Sequence, residues 1–376
     1  MKTDTQQQHK KNVLFVGMTD YDFSKENPVL EKKFQGLSKG FNCFVLARGK
    51  GWRFKKYQTH FYLTPKIFGK LGIFFWLVIS FFRGLFIIYN KKIDTIVVQS
   101  PVFEGFIGAL LKMITKRELI VETHGDWINS FFYYFSIPLE KYVKKIFVAL
   151  GIFSLRHADK IRVISNYMRA LVEKQIVRAP IYQFATFMDI EMFARETNIS
   201  WEKTIIFTGV LYRLKGVQTL IKAFGSLRKD FPDYRLVIIG DGPYRHTLEN
   251  LAREHKQHID FVGKKELFEV KEIVKNCTVF VLPSLSEGLG RVLIEAAALG
   301  KPIIGSNVGG IPDLIKNGEN GYLFDADNAN ELEQKLRLIL NDKEKAKKMG
   351  AVGKERALKT YSTLRYFDSY IKMINE

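Results

Sequence analysis

Two glutamates, Glu287 and Glu295, stand eight positions apart in the otherwise small and apolar segment LPSLSEGLGRVLIEAAALGKPIIGSNVGGIPDLI (282–315). Between them Gly288, Leu289 and Gly290 lead into RVLIEAAALG, a stretch that predicts a helix beginning near Arg291. A glycine-rich turn entering a helix presents free backbone N–H groups and the positive end of the helix dipole, which together suit a phosphate. Counted as helical rise, Glu287 to Glu295 spans about 12 Å, comparable to the reach from a sugar, across a diphosphate, to a nucleoside ribose. The two carboxylates could therefore hold hydroxyls at both ends of one sugar nucleotide. A glycoside hydrolase would need its carboxylates about 5–10 Å apart across a single bond, and this pair is too widely and too separately placed.

The elements that must carry these groups are legible as short apolar runs. NVLFVGM, NCFVLA, DTIVVQS, RELIVETHG and DKIRVIS read as buried parallel strands separated by longer helical stretches, a doubly wound α/β domain. After APIYQFATFMDIEMF and the polar ARETNISWEK the alternation restarts with TIIFTGV, RLVIIGDG, HIDFVG, CTVFVLPS, KPIIGSN and GYLF. Helices are expected near 216–229, 244–255, 266–275, 290–299 and 330–340. The expected organisation is an N-terminal domain over 1–190, a C-terminal domain over 191–360, and a closing helix over 361–376 able to pack across both.

At 376 residues, 47% hydrophobic and 26% charged, the chain is long enough for two cores and too apolar for extensive disorder. Cys43 and Cys277 both sit in apolar runs and read as packed thiols, so no disulfide framework exists and a reducing, cytoplasmic setting is expected. The polar start MKTDTQQQHKK lacks the apolar stretch of a secretory leader.

Charge is distributed unevenly. Residues 1–180 carry 29 Lys and Arg against 13 Asp and Glu, and residues 181–376 carry 29 against 26. The basic half also holds the aromatic clusters GIFFWLVISFF and SFFYYFSIP, a combination that suits an anionic lipid surface. Zinc-finger spacing, an aromatic RNA-binding motif and a basic heptad region are all missing, which disfavours nucleic acid as a partner. The window 71–89 is nearly long enough to cross a bilayer, but Arg83 and two glycines interrupt it. It reads as a helix lying in a membrane interface or as a domain helix. A span would break the βαβ unit that DTIVVQS completes.

The segment SEGLGRVLIEAAALGKPIIGSNVGGIPDLI with NGYLF resembles the signature of the retaining glycosyltransferases of family 4. FTGVLYRLKGVQTLIKAF, LVIIGDGPYRHTLENLA, FVGKKELFEVKEIVKNCTVFVLPS and, more weakly, IVETHGDW and IRVISNYMRALV follow that family in order. The likeness is strong over about 200–340 and loose over 1–180. It implies a GT-B fold, two facing Rossmann-like domains with a donor cleft between them. It also implies that Glu295 binds the nucleoside ribose, that Glu287 meets the transferred sugar, and that the amides of Leu289, Gly290, Arg291 and Val292, after Gly288, receive the diphosphate. Lys215 matches the lysine that neutralises the leaving diphosphate, and His124 the histidine that reaches the donor sugar from the first domain. Where the family usually places arginine after the strand glycine, here Gly209, this chain has Val210, and Arg213 stands close enough in sequence to replace it. Around the first strand the family often has a glycine pair, and this chain reads GMTDYDFSKENP instead, which leaves acceptor contacts by that loop open.

On this likeness the chain is expected to move sugar from a nucleotide-sugar donor to an acceptor, preferably a lipid-linked glycan or cell-surface polysaccharide precursor at the inner face of the cell membrane. Lys215, Arg213 and the helix terminus would stabilise the leaving group without a metal or other cofactor. The Asp-x-Asp strings DYD (20–22) and DAD (325–327) lack the strand-end setting of metal-binding glycosyltransferases and read as loop acids. The alternatives are a soluble glycosyltransferase acting on a small molecule or protein, and a non-catalytic binding protein of the same fold. A dinucleotide or P-loop enzyme is disfavoured, since GDGPYR lacks the third glycine of its motif and no G-x-x-x-x-G-K occurs.

Overall fold

The computed structural model describes residues 10–65, 72–129, 139–175 and 177–376. The chain divides into two compact α/β units. The first comprises Met1–Ile164, Met168–Phe187 and Tyr366–Glu376, and the second comprises Ser165–Tyr167 and Met188–Arg365. The aromatic cluster SFFYYFSIP (130–138), the lysines of PKIFGK (65–70) and most of the polar start lie outside the described residues.

In the first unit the order is β1 (Asn12–Tyr21), α1 (Pro28–Leu37), β2 (Asn42–Gly49), β3 (Arg53–Lys56), β4 (Thr59–Thr64), α2 (Gly72–Asn90), β5 (Thr95–Val98), α3 (Phe103–Thr115), β6 (Glu118–Thr123), α4 (Glu140–His157), β7 (Lys160–Val163), α5 (Asn166–Glu173) and β8 (Ile181–Gln183). The strands form one sheet in the order β3-β4-β2-β1-β5-β6-β7-β8, parallel except for the β3–β4 hairpin. That hairpin was not evident in the sequence because RFKK has no apolar run. It turns on Tyr57 and Gln58, both at positive φ, as a tight two-residue connection requires.

Alternate strand residues face opposite sides of the sheet. Val97 and Ile120 enter a core with Phe34 and Leu37 of α1 and with Tyr370, Met373 and Ile374. Their neighbours Val98 and Leu119 meet α3, so closely that a Cβ on Gly108 would stand 2.6 Å from Val98. Helix α3 packs between α2 and α4, so these three helices cover the second face.

From Gly72 onward the apolar window forms the helix α2, lying against this face. It buries Trp76, Ser80, Gly84, Ile87 and Ile88 and exposes Phe74, Phe75, Val78, Phe82, Phe86 and Tyr89. Among the described residues it is the one helix long and apolar enough to cross a membrane. The interrupting Arg83 turns onto the hairpin, donating to the carbonyls of Leu63 and Trp52 and stacking 4.7 Å from the Trp52 ring.

The second unit runs α6 (Ile190–Ala194), β9 (Thr204–Thr208), α7 (Val217–Leu227), β10 (Arg235–Ile239), α8 (Arg245–Leu251), β11 (Ile259–Gly263), α9 (Leu267–Val274), β12 (Val279–Leu282), α10 (Arg291–Ala298), β13 (Ile303–Ser306), α11 (Ile311–Leu314), β14 (Gly321–Phe324), α12 (Ala329–Leu340) and α13 (Lys343–Tyr361). Its six parallel strands follow the order β11-β10-β9-β12-β13-β14. The order therefore reverses between β9 and β12, the switch point where open α/β sheets leave a crevice beyond their strand ends. The last helix, α14 (Thr363–Asn375), belongs from Tyr366 onward to the first unit. Both cysteines are buried, Cys43 within β2 and Cys277 in the turn before β12.

Candidate active site

At the switch point of the second unit, three strand-end loops converge. After β9 the chain makes a 3-10 turn over Arg213–Lys215 and enters α7 through Gly216, at φ 66°. Only glycine fits there, since a Cβ would lie 1.8 Å from the carbonyl oxygen of Pro283 in the loop after β12. Leu285 N–H donates to the Leu214 carbonyl at 2.7 Å, clamping the two loops. The third loop, after β13, brings Gly309 so near Glu287 that a Cβ would stand 1.8 Å from the Glu287 carbonyl oxygen, and Gly310 N–H donates to that oxygen at 3.1 Å.

This scaffold joins two of the residues singled out in the sequence. Lys215 Nζ donates to Glu287 Oε2 at 2.7 Å, and the Ser284 hydroxyl lies 3.4 Å from the same oxygen. Both charged side chains are largely shielded, 20% and 17% exposed, so the pair is held and still reachable by a ligand. Ser284 was missed in the sequence, where a serine between Pro283 and Leu285 carries no distinguishing pattern.

Helix α10 starts at Arg291 after Gly290, which sits at φ 86° and supplies no side-chain cap. Its first-turn amides, those of Arg291 and Val292, are thus not capped by a side chain, while Leu289 buries its own side chain and anchors the turn. Glu287 lies outside the helix, so the 12 Å estimate from continuous helical rise does not describe its relation to Glu295. The eight-residue spacing crosses a glycine turn before helical geometry begins.

Glu295 occupies the second turn of α10 with 13% of its side chain exposed, and Arg291 Nη2 lies 3.9 Å away. Burial pushes its carboxyl up to about 7, opposed in part by the Arg291 charge. It is therefore poised to accept or donate a hydrogen bond near neutral pH, which suits recognition of a hydroxyl pair. Arg213 is exposed at the start of the 3-10 turn, and Val210, where the resembled family has arginine, is 52% exposed. Gly209 N–H donates to the Ile239 carbonyl at 3.0 Å and links the ends of β9 and β10.

The Asp-x-Asp strings have structural partners. Asp20 pairs with Arg48 at 2.8 Å, Asp22 accepts from the Ser24 amide, and Asp327 accepts from the Thr219 hydroxyl at 2.7 Å. Among the described residues no cluster of three or more His, Cys, Asp and Glu side chains could hold a metal ion.

In the first unit, His124 follows β6 at the C-terminal edge of that sheet, with 34% of its side chain exposed. Its Nε2 lies 2.8 Å from Glu122 Oε2. Glu122 is 3% exposed and accepts from Arg162 Nη1 at 2.6 Å and from Tyr370 Oη at 2.7 Å. Neither Glu122 nor Arg162 was picked out in the sequence. The available signal was a charged residue inside each of two apolar strands, IVETHG and KIRVIS.

Residues 189–356 match the model of a known family, the glycosyl transferases group 1. The chain is 29% identical to an uncharacterized glycosyltransferase of Methanocaldococcus jannaschii over 74% of this chain and 75% of that protein. It is 22% identical to a capsular polysaccharide biosynthesis glycosyltransferase of Staphylococcus aureus over 94% of both. Other relatives, 30–34% identical, are covered over 34–48% of their length. Among solved structures, Anabaena HepE in complex with UDP superposes with a TM-score of 0.75 at 16% identity, covering 96% of this chain and 99% of that one. The fold is thus GT-B, two Rossmann-like α/β domains, as the motifs led one to expect.

Proposed function

We propose that this chain, a glycosyltransferase whose residues 189–356 belong to the glycosyl transferases group 1, transfers a sugar from a nucleotide diphosphate with retention of anomeric configuration. The observation that carries this reading is the convergence of Lys215, Glu287 and the glycine-capped start of α10 at the β9/β12 switch point. An ammonium, amides and a helix dipole gathered there suit a diphosphate that gains negative charge as it leaves, the preorganised electrostatics that usually dominates such catalysis. In this reading the α10 amides receive the diphosphate, Lys215 exchanges part of its pairing with Glu287 for the leaving oxygens, and Glu287 is freed toward the sugar. Glu295 takes the ribose hydroxyls. Arg213 adds charge in place of the missing family arginine. His124 serves the same reaction from the first domain. Lys215 and the helix terminus supply the positive charge, so the reaction needs no metal.

The acceptor we propose is a lipid-linked glycan or polysaccharide precursor, taken up at an anionic membrane surface on its cytoplasmic side. Support comes from the second face of the first unit. Among the described residues, most of that unit's exposed large apolar side chains lie on three neighbouring helices: the α2 stripe, Met113 and Ile114 on α3, and Tyr142 and Ile146 on α4. Lys91 and Lys92 follow α2, and Lys112, Lys116, Lys141 and Lys145 lie on or beside the other two helices. Apolar side chains rimmed by lysine favour the headgroup region of an anionic bilayer.

Thermal-shift screening with a panel of sugar nucleotides, followed by transfer assays with the donors that stabilise the protein, tests the reaction. A stabilising donor that is turned over supports it. Absence of both stabilisation and transfer across the panel would favour a non-catalytic binding protein of this fold.

A further inference from the structure

We infer that Glu122 is a positioning residue for His124, held in place by Arg162 and by Tyr370 of the C-terminal helix. The inference rests on the assignment of His124 to the transfer reaction made above.

The strand register puts the parts together. Glu122 and Arg162 are direct partners on the neighbouring parallel strands β6 and β7. By the two-residue period of a strand, Glu122 shares the face of Ile120, against which α14 packs, and so it meets Tyr370. Arg162 is wedged among aromatic rings, its Cζ 4.2 Å from the Phe184 centroid and 5.4 Å from that of Tyr370, and Nη2 donates to the Ala185 carbonyl at 2.6 Å. One carboxylate oxygen of Glu122 is thus occupied by Arg162 and Tyr370, and the other faces His124.

Burial by itself would raise the Glu122 carboxyl. The charge of Arg162, with hydrogen bonds from His124 and Tyr370 and the His124 charge whenever that ring is protonated, outweighs it and holds the group well below the ordinary glutamate range. An ionised carboxylate only accepts hydrogen bonds. His124 must then carry its proton on Nε2, and the ring orientation is set by a carboxylate that cannot itself turn. Nδ1 is left as the nitrogen available to a sugar hydroxyl, an acceptor while the ring is neutral. A buried ion pair of this kind adds little net stability over apolar packing. Ending on a half-exposed histidine, it has a use that packing alone would not require.

Side-chain ¹⁵N–¹H spectroscopy of the full chain at pH 8, with the His124 signals assigned by His124→Asn, reads the tautomer directly. The wild type should show the Nε2–H form. Glu122→Gln should erode that preference and lower kcat by about tenfold or more, as loss of an orienting carboxylate does elsewhere, with a smaller change in the donor KM. Tyr370→Phe keeps the ring and should move both readouts in the same direction by less. In a His124→Asn background, Glu122→Gln should lower kcat no further. An unchanged His124 tautomer in both folded variants overturns the inference, and if Glu122→Gln does not fold, Tyr370→Phe decides alone. A shifted tautomer with His124→Asn transferring at the wild-type rate leaves the positioning intact and refutes only the role given to His124.

Discussion

Lys215 and Glu287, 72 positions apart in the chain, meet at 2.7 Å on loops that leave two adjacent parallel strands. Each charge is largely shielded and neutralises the other until a ligand competes. An anion that engages Lys215 would weaken its hold on Glu287, so the proposed reaction links binding of the diphosphate and release of the carboxylate toward the sugar in one exchange.

If Lys215 acts mainly as the diphosphate departs, Lys215→Ala should lower kcat by roughly 10²–10³-fold, the range typical for loss of one electrostatic stabiliser. The donor KM should change much less. Steady-state kinetics with the donor found by screening gives the answer, and normal turnover would pass the role to Arg213 or to the α10 terminus alone.

Glu295→Ala should weaken donor binding by about 1.5–3 kcal/mol, or roughly 10- to 150-fold in Kd. Titration calorimetry measures this, and unchanged affinity would remove Glu295 from the ribose role.

The same residue has a pH signature. Its folded value of about 7 lies above the ordinary 4.5, so the native state binds the proton more tightly than the unfolded chain does. Native stability should therefore fall as pH rises from about 4.5 through 7, with a penalty on the order of 3 kcal/mol once the group is ionised. Glu295→Gln should raise Tm relative to wild type at pH 8 and much less at pH 5. An equal effect at both pH values would contradict the assignment.

Gly309→Ala should cost more than about 2 kcal/mol, because the left-handed backbone at φ 56° is unfavourable to alanine and its Cβ would collide with the Glu287 carbonyl. Transfer should fall with it as Glu287 is displaced. Denaturant melts and activity measured on the same preparation check both outcomes, and a stable, active variant would show that the loop relaxes freely.

Membrane association should need the α2 stripe and be partly salt-sensitive, since each lysine near an anionic surface contributes about 1 kcal/mol that is screened as ionic strength rises. Sedimentation with anionic liposomes should exceed that with neutral ones. Phe82→Glu with Phe86→Glu should abolish it, and charge reversal at Lys141, Lys144 and Lys145 should weaken it without unfolding. Lys144 also donates to Asn129 at 2.6 Å, so its share is expected to be the smallest of the three. Equal recovery in the supernatant with and without anionic liposomes at low salt would favour a soluble acceptor.

By itself the sequence determined the α/β class and most of the strands that carry apolar runs, and it singled out Glu287, Glu295, Lys215 and His124 as candidates. The strands are legible because buried parallel strands write continuous apolar runs, and the two glutamates because a glycine-bounded turn writes local spacing, while Lys215 and His124 stood out only through the family resemblance. The charged α13 was not among the expected helices, since its apolar positions are sparse and its close packing depends on Gly350, where a Cβ would stand 1.9 Å from the Gly300 carbonyl oxygen. Only the tertiary structure decided that Lys215 pairs with Glu287, that Arg83 turns onto a hairpin and leaves the outer stripe of α2 uncharged, and that Tyr370 reaches Glu122 across 248 positions. Those relations depend on strand order and on which face each residue takes. Both are set by the packing of distant segments, and no local periodicity encodes them.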